Sequence, residues 1–163
     1  MDYGAYGASI CVMYLRSPNT VVGVAGRLRK THIGVDDTGA MLLRYPTALC
    51  RFEMTWTEAV SPRLPHNLHL YGTEGTILAG RSEVRLHSRQ DPEGRDVPLD
   101  ELSAGRENGP ATVVDCIRSG EDPMGQSSPD VSRSAQEIVE AGLIFATTGI
   151  AVSLPVENHL FRG

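Results

Sequence analysis

The stretch Ala48-Leu49-Cys50-Arg51-Phe52-Glu53-Met54-Thr55-Trp56-Thr57 decides the fold. Ala48, Cys50, Phe52, Met54 and Trp56 alternate with Leu49, Arg51, Glu53, Thr55 and Thr57, the period of two expected of a half-buried β-strand. One face is apolar and the other mostly polar. Covering the apolar face contributes on the order of 10 kcal/mol gross, at about 1.5 to 3 kcal/mol per large buried side chain. Just downstream, the segment Asn67 to Ala79 divides into two shorter strands around Gly72-Thr73-Glu74-Gly75, whose glycines suit a tight reversal. The whole predicts an antiparallel meander.

Upstream of it, Val21 to Lys30 reads as a long strand with Val22, Val24 and Leu28 set against Val21, Ala25, Arg27 and Arg29. A polar turn at Gly34-Val35-Asp36-Asp37 leads into a second strand, Thr38 to Tyr45, which Tyr45-Pro46-Thr47 reverses into the deciding stretch. Downstream, Glu83 to His87 predicts an edge strand, Val97 to Leu99 a short further one, and Asp100 to Gly109 a mobile connection. Helices belong to the two ends. From Tyr3 to Ser17, Tyr6, Ile10, Met13 and Tyr14 recur at helical spacing until Pro18. Because this helix starts almost at Met1, further chain is expected ahead of it. Pro110 opens a short helix with Val113, Val114 and Ile117 on one side and Gly120 past its end. Ser128-Pro129 opens the longest, with Val131, Ala135, Ile138, Val139, Gly142, Phe145 and Ala146 at spacings of three and four until Gly149, after which Ile150 to Leu154 returns as a strand. A run of strands between terminal helices points to one α+β domain across residues 1–163: an open, mostly antiparallel β-sheet with helices packed on one face.

At 163 residues with a net charge of −5, the chain is sized for one domain and offers no dense basic patch for nucleic acid or an anionic membrane. Lys30 is its sole lysine. Cys11, Cys50 and Cys116 are odd in number and widely spaced, which gives neither a disulfide framework nor metal-ligand spacing. No apolar run approaches the roughly 20 residues that span a bilayer, and no secretion signal opens the chain. A reducing, cytoplasmic home is the expectation.

Most candidate chemistry gives way to plainer readings. Gly23-Val24-Ala25-Gly26-Arg27-Leu28-Arg29-Lys30-Thr31 has the outline of a phosphate-binding loop, but Arg29 stands where that loop needs glycine, and strand alternation runs through it. Gly4 and Gly7 frame Ala5-Tyr6 without a preceding strand, so no dinucleotide-binding turn is present. His66 and His69, three apart on a strand, point to opposite faces and do not ligate one metal together. His32, His87 and His159 have no neighbouring ligand in sequence, and no nucleophile elbow occurs. The pair that remains is Asp2 and Tyr6, four apart and therefore on one face of the first helix. They can share one ligand, or serve as a helix cap and a core aromatic. A tyrosine hydroxyl can give or take an alcohol proton, but its reference pKa of about 10 requires a neighbouring cation to lower it.

Taken together, Asp2-Tyr3-Gly4-Ala5-Tyr6-Gly7, Asp36-Asp37, Leu43-Arg44-Tyr45-Pro46, the strand ending in Trp56, Tyr71-Gly72-Thr73-Glu74-Gly75-Thr76 and the ending from Ser134 through Ala151-Val152-Ser153-Leu154-Pro155 resemble the C-terminal domain of the Gfo/Idh/MocA oxidoreductases. The resemblance covers nearly the whole chain. It implies an open, mostly antiparallel sheet with helices on one face, coupled in the family to an N-terminal Rossmann domain that binds NAD or NADP and supplies a lysine. That domain is expected from elsewhere. The resemblance further implies that Asp2 falls on the family's aspartate and Tyr6 on the acid or base four residues later, and that the sheet face makes a homo-oligomeric interface. The function expected is substrate binding and oligomerisation in an NAD(P)-dependent oxidoreductase acting on a sugar, polyol or similar hydroxylated small molecule, inactive without the Rossmann domain. The alternative is a non-catalytic domain that docks another chain through its sheet face.

Overall fold

The computed structural model describes residues 2–58 and 65–156. Chain order is α1 (Asp2–Leu15), β1 (Thr20–Gly26), β2 (Thr38–Arg44), β3 (Leu49–Thr55), β4 (Leu68–Tyr71), β5 (Gly75–Ala79), β6 (Val84–Ser88), β7 (Arg95–Asp96), α2 (Gly109–Ser119), α3 (Pro129–Thr148) and β8 (Val152–Ser153). The α+β class and the antiparallel pairing are as the sequence predicts, but the strands form two open four-stranded sheets, β3-β2-β1-β8 and β4-β5-β6-β7. They belong to two compact units, residues 1–58 with 105–163, and residues 59–104.

In the first unit β2 pairs along its length with β1 and β3, placing Val21 beside Leu43 and Leu43 beside Cys50 on one face. On that face Val21, Met41, Leu43 and Met54 are buried against Ala8, Cys11 and Val12 of α1 and Ala135, Ile138, Val139 and Ala141 of α3. The opposite face presents Val24, Leu42 and Leu49 in the open. β1 and α3 meet at two glycines: a Cβ built on Gly23 would lie 2.9 Å from the Gly142 carbonyl oxygen. This contact explains why β1 buries Val21 and Gly23 while Val24, assigned by alternation to its apolar set, is 64% exposed.

Four further expectations are corrected. α1 is a helix where predicted, but Tyr6, Met13 and Tyr14 are exposed and Ala8, Cys11 and Val12 form its buried stripe. The helix lies too close to β3 for large side chains, since a Cβ on Gly7 would be 2.7 Å from the Phe52 ring. Trp56 falls beyond the end of β3 and leaves the apolar face shared by Cys50, Phe52 and Met54. Likewise β6 is no edge strand, because β7 pairs beyond it, and β7 itself forms at Arg95–Asp96 rather than Val97 to Leu99.

α2 and α3 begin and end as their sequences dictate. The Asn108 carboxamide oxygen accepts the Ala111 amide at 2.9 Å ahead of Pro110, and Gly120 closes α2 at φ 76°. Gly149 closes α3 in the same left-handed conformation, at φ 73°. In the second unit, β4 and β5 pair around the reversal at Gly72 to Gly75, where the Gly72 amide donates to the Gly75 carbonyl at 2.8 Å. His66 is set 3.7 Å from the Glu83 carboxylate, and His69 and Tyr71 stack edge to face with ring centroids 6.2 Å apart.

Candidate functional site

The two residues singled out by sequence both sit on the first helix. Asp2 opens α1, and its side chain lies outside the described part of the structure. Tyr6, one turn on, is 60% exposed, turned away from the sheet by the same packing that seats Gly7 on Phe52. Of the two roles weighed for it, core aromatic is ruled out by that exposure.

The segment with the outline of a phosphate loop has a different occupant. β1 ends at Gly26, earlier than predicted, because the backbone turns around the Asp37 side chain. The Leu28 amide donates to one carboxylate oxygen of Asp37 at 3.0 Å, and the Arg29 and Lys30 amides to the other at 2.9 and 2.6 Å. Thr38 adds a hydroxyl at 3.1 Å. Successive amides that converge in this way make an anion cradle. Here the anion is internal. The Lys30 amide foremost, with those of Leu28 and Arg29 and the Thr38 hydroxyl, holds the Asp37 carboxyl well below the usual carboxylate range against the opposing effect of burial. The Trp56 amide donates to the Asp37 carbonyl at 2.8 Å, and the Lys30 ammonium lies 5.6 Å from the Trp56 ring centroid. Asp37 thus ties the β1 end, the β2 start and the β3 end together. An aspartate directly before a strand was the sequence signal for it, and the polar turn masked it.

Above this junction an open groove of about 610 Å³ runs along Val24 to Leu28, Thr38 to Ala40, Glu53 to Thr55 and Glu58. Thr38 and Thr55 hydroxyls face each other at 3.3 Å beneath it. Among the described residues no three His, Cys, Asp or Glu side chains gather as a metal site. Cys11 and Cys50, far apart in sequence, do come together, with their sulfurs 3.2 Å apart across α1 and β3.

Residues 1–78, just under half of the chain, match the family model described as the GFO/IDH/MocA C-terminal domain. None of the curated proteins compared with the chain matches it. Among solved structures, an oxidoreductase from Agrobacterium radiobacter in complex with NAD+, L-tartaric acid and magnesium is similar, at TM-score 0.68 and 18% identity over 92% of this chain and 47% of that one. The WlbA dehydrogenase from Bordetella pertussis, in complex with NADH and UDP-GlcNAcA, has TM-score 0.57 and 15% identity over 96% of this chain and 45% of that one. An oxidoreductase from Thermotoga maritima has TM-score 0.66 and 16% identity over 93% and 43%. At such identities the likeness is one of fold. The chain spans about half the length of these structures.

Proposed function

We propose that this chain is the substrate-binding and oligomerisation domain of an NAD(P)-dependent oxidoreductase that acts on a sugar, polyol or related hydroxylated small molecule. The observation that carries this reading is the family match over residues 1–78, which includes α1 and the exposed Tyr6. The A. radiobacter structure in complex with NAD+ and L-tartaric acid, and the B. pertussis one in complex with NADH and UDP-GlcNAcA, support the cofactor and substrate class. The residues present do not suit a dinucleotide: the amides of Leu28 to Lys30, the one phosphate-like cradle the sequence suggested, are filled by Asp37. Nucleotide binding is assigned to a Rossmann domain that lies outside residues 1–163, in a reducing cytoplasm. The contribution of this chain is a proton at the Tyr6 hydroxyl, with Asp2 orienting the substrate from the same helix face. Copies associate through the open sheet face bearing Val24, Leu42 and Leu49.

The test pairs the chain with its dinucleotide-binding domain and compares Tyr6→Phe with wild type over a panel of hydroxylated substrates. A fall in kcat of about 10²- to 10⁴-fold with a smaller change in KM is expected. Unchanged turnover removes Tyr6 from the chemistry. The second reading, a non-catalytic docking domain, draws on the same exposed Val24, Leu42 and Leu49. It predicts association with a partner chain and no turnover in any pairing, so light scattering and the turnover assay separate the two.

A further inference from the structure

α1 and β3 meet at two thiols that the proposed proton transfer does not require. Cys11 and Cys50 are 39 residues apart in sequence and 3.2 Å apart at sulfur. Both are free thiols, Cys11 buried and Cys50 partly exposed. The hydrogen bond from Cys11 pulls the Cys50 thiol down to about 7 against the opposing effect of burial. Cys11 is pushed well above the ordinary thiol range, by that same bond first and by burial second. Of the two, Cys50, the partly exposed member, is the one that ionises first, and Cys11 keeps its proton. The phenol of Tyr45, buried beside them, has no hydrogen-bond partner among the described residues. Burial first, then the Cys11 and Cys50 charges, hold that phenol above its ordinary range.

Zinc is a poor occupant. Two sulfurs fall short of the four ligands of a structural zinc site, and no third ligand joins them among the described residues. A bond between the sulfurs needs them to close by only about 1 Å, to the roughly 2.05 Å of a disulfide. We propose that Cys11 and Cys50 form a reversible intramolecular disulfide that ties α1 to β3 when the chain meets a hydroperoxide. The Cys50 thiolate attacks the terminal peroxide oxygen; an S–O bond forms, the O–O bond breaks, and the departing alkoxide or hydroxide takes a proton from solvent. Cys11 sulfur then attacks the Cys50 sulfur of the resulting sulfenic acid. The S–S bond forms, the S–O bond breaks, and hydroxide leaves as water with the Cys11 proton. The cysteines lose two electrons and the hydroperoxide gains them; a dithiol reductant reverses the change. In a reducing compartment the pair rests as thiols and closes only under oxidant. Cys116, buried on α2 with the Arg106 guanidinium 3.6 Å from its sulfur, has no second thiol and serves as an internal control.

This inference stands apart from the oxidoreductase reading, and its test needs no turnover. The full chain is titrated with hydrogen peroxide at about pH 7.5, where the Cys50 thiolate predominates, then alkylated and mapped with trypsin without reduction. The expected product joins the peptide ending at Arg16 to the peptide Tyr45 to Arg51, leaves Cys116 alkylated, and raises Tm until dithiothreitol restores the starting value. Closing the loop in the unfolded chain is the source of that rise. Cys11→Ala and Cys50→Ala lose the linked peptide and the Tm shift, and in Cys11→Ala a 1,3-dione reagent captures Cys50 as the sulfenic acid. A link to Cys116, a link between chains, Cys50 sulfinic acid without a link in wild type, or a linked chain with unchanged Tm each overturns the proposal. The wild-type map decides even if a variant fails to fold.

Discussion

The crossing of β1 and α3 gives the sharpest test of how the first unit is held together. In Gly23→Ala the new methyl would sit 2.9 Å from the Gly142 carbonyl oxygen and 3.1 Å from its Cα, and both obstacles are backbone. The helix has to lift by a few tenths of an ångström along a face that buries Ala135, Ile138, Val139, Ala141 and Gly142. Overpacking of this kind costs about 1 to 3 kcal/mol, and replacing a strand glycine returns about 0.5 to 1 kcal/mol. A net loss of about 1 to 2 kcal/mol is expected. Gly142→Ala is the counterpart: its methyl would meet Met41 Cε at 2.5 Å and Sδ at 2.7 Å, the end of a flexible side chain. With about 1 kcal/mol gained in helix propensity, that variant is expected within about 1 kcal/mol of wild type. Urea unfolding followed by the fluorescence of Trp56, the single tryptophan and a member of the first unit, measures both. Gly23→Ala as stable as wild type, or less harmful than Gly142→Ala, refutes the crossing as the determinant.

Two more predictions concern the ends of elements. Asp37→Asn leaves the amides of Leu28, Arg29 and Lys30 without their carboxylate and lowers Tm by several degrees near neutral pH. The folded carboxyl is held below its unfolded value, so the stability it lends is full above about pH 5 and drains away as pH falls below about 4. A Tm series against pH should therefore be flatter on its acid side in Asp37→Asn, and an identical slope contradicts the cradle. Asn108→Ala removes the cap on Ala111 and weakens α2 by about 1 kcal/mol, seen as roughly fivefold faster amide exchange in its first turn. No change in exchange would assign that turn's stability elsewhere.

Periodicity made the strand class legible wherever one face is buried and the other wet, as in Cys50, Phe52 and Met54 against Arg51 and Glu53. It misled where close approach, not hydrophobicity, selects the buried residue. Gly23 and Gly7 face inward because their neighbours leave no room, and Tyr6, Met13 and Tyr14 stay outside for the same reason. Hydrophobic pattern alone cannot register that. The division into two sheets was hidden too, since strands of either unit alternate alike and pairing partners are a tertiary choice. At the candidate site, Asp2 and Tyr6 were found by their spacing of four on a helix, a local signal. Cys11 with Cys50, and Asp37 with the amides of Leu28 to Lys30, are brought together by the fold and carry no local signature.

In the proposed function this chain is a platform for substrate and another domain carries the dinucleotide. Equilibrium binding of NADH and NADPH to the purified chain tests that division most directly, with the same titration repeated after the Rossmann domain is added. No saturable binding by the chain alone up to about 1 mM, and saturable binding once the second domain is present, is the predicted result. A Kd of about 1 μM or tighter for the chain unaided would contradict it.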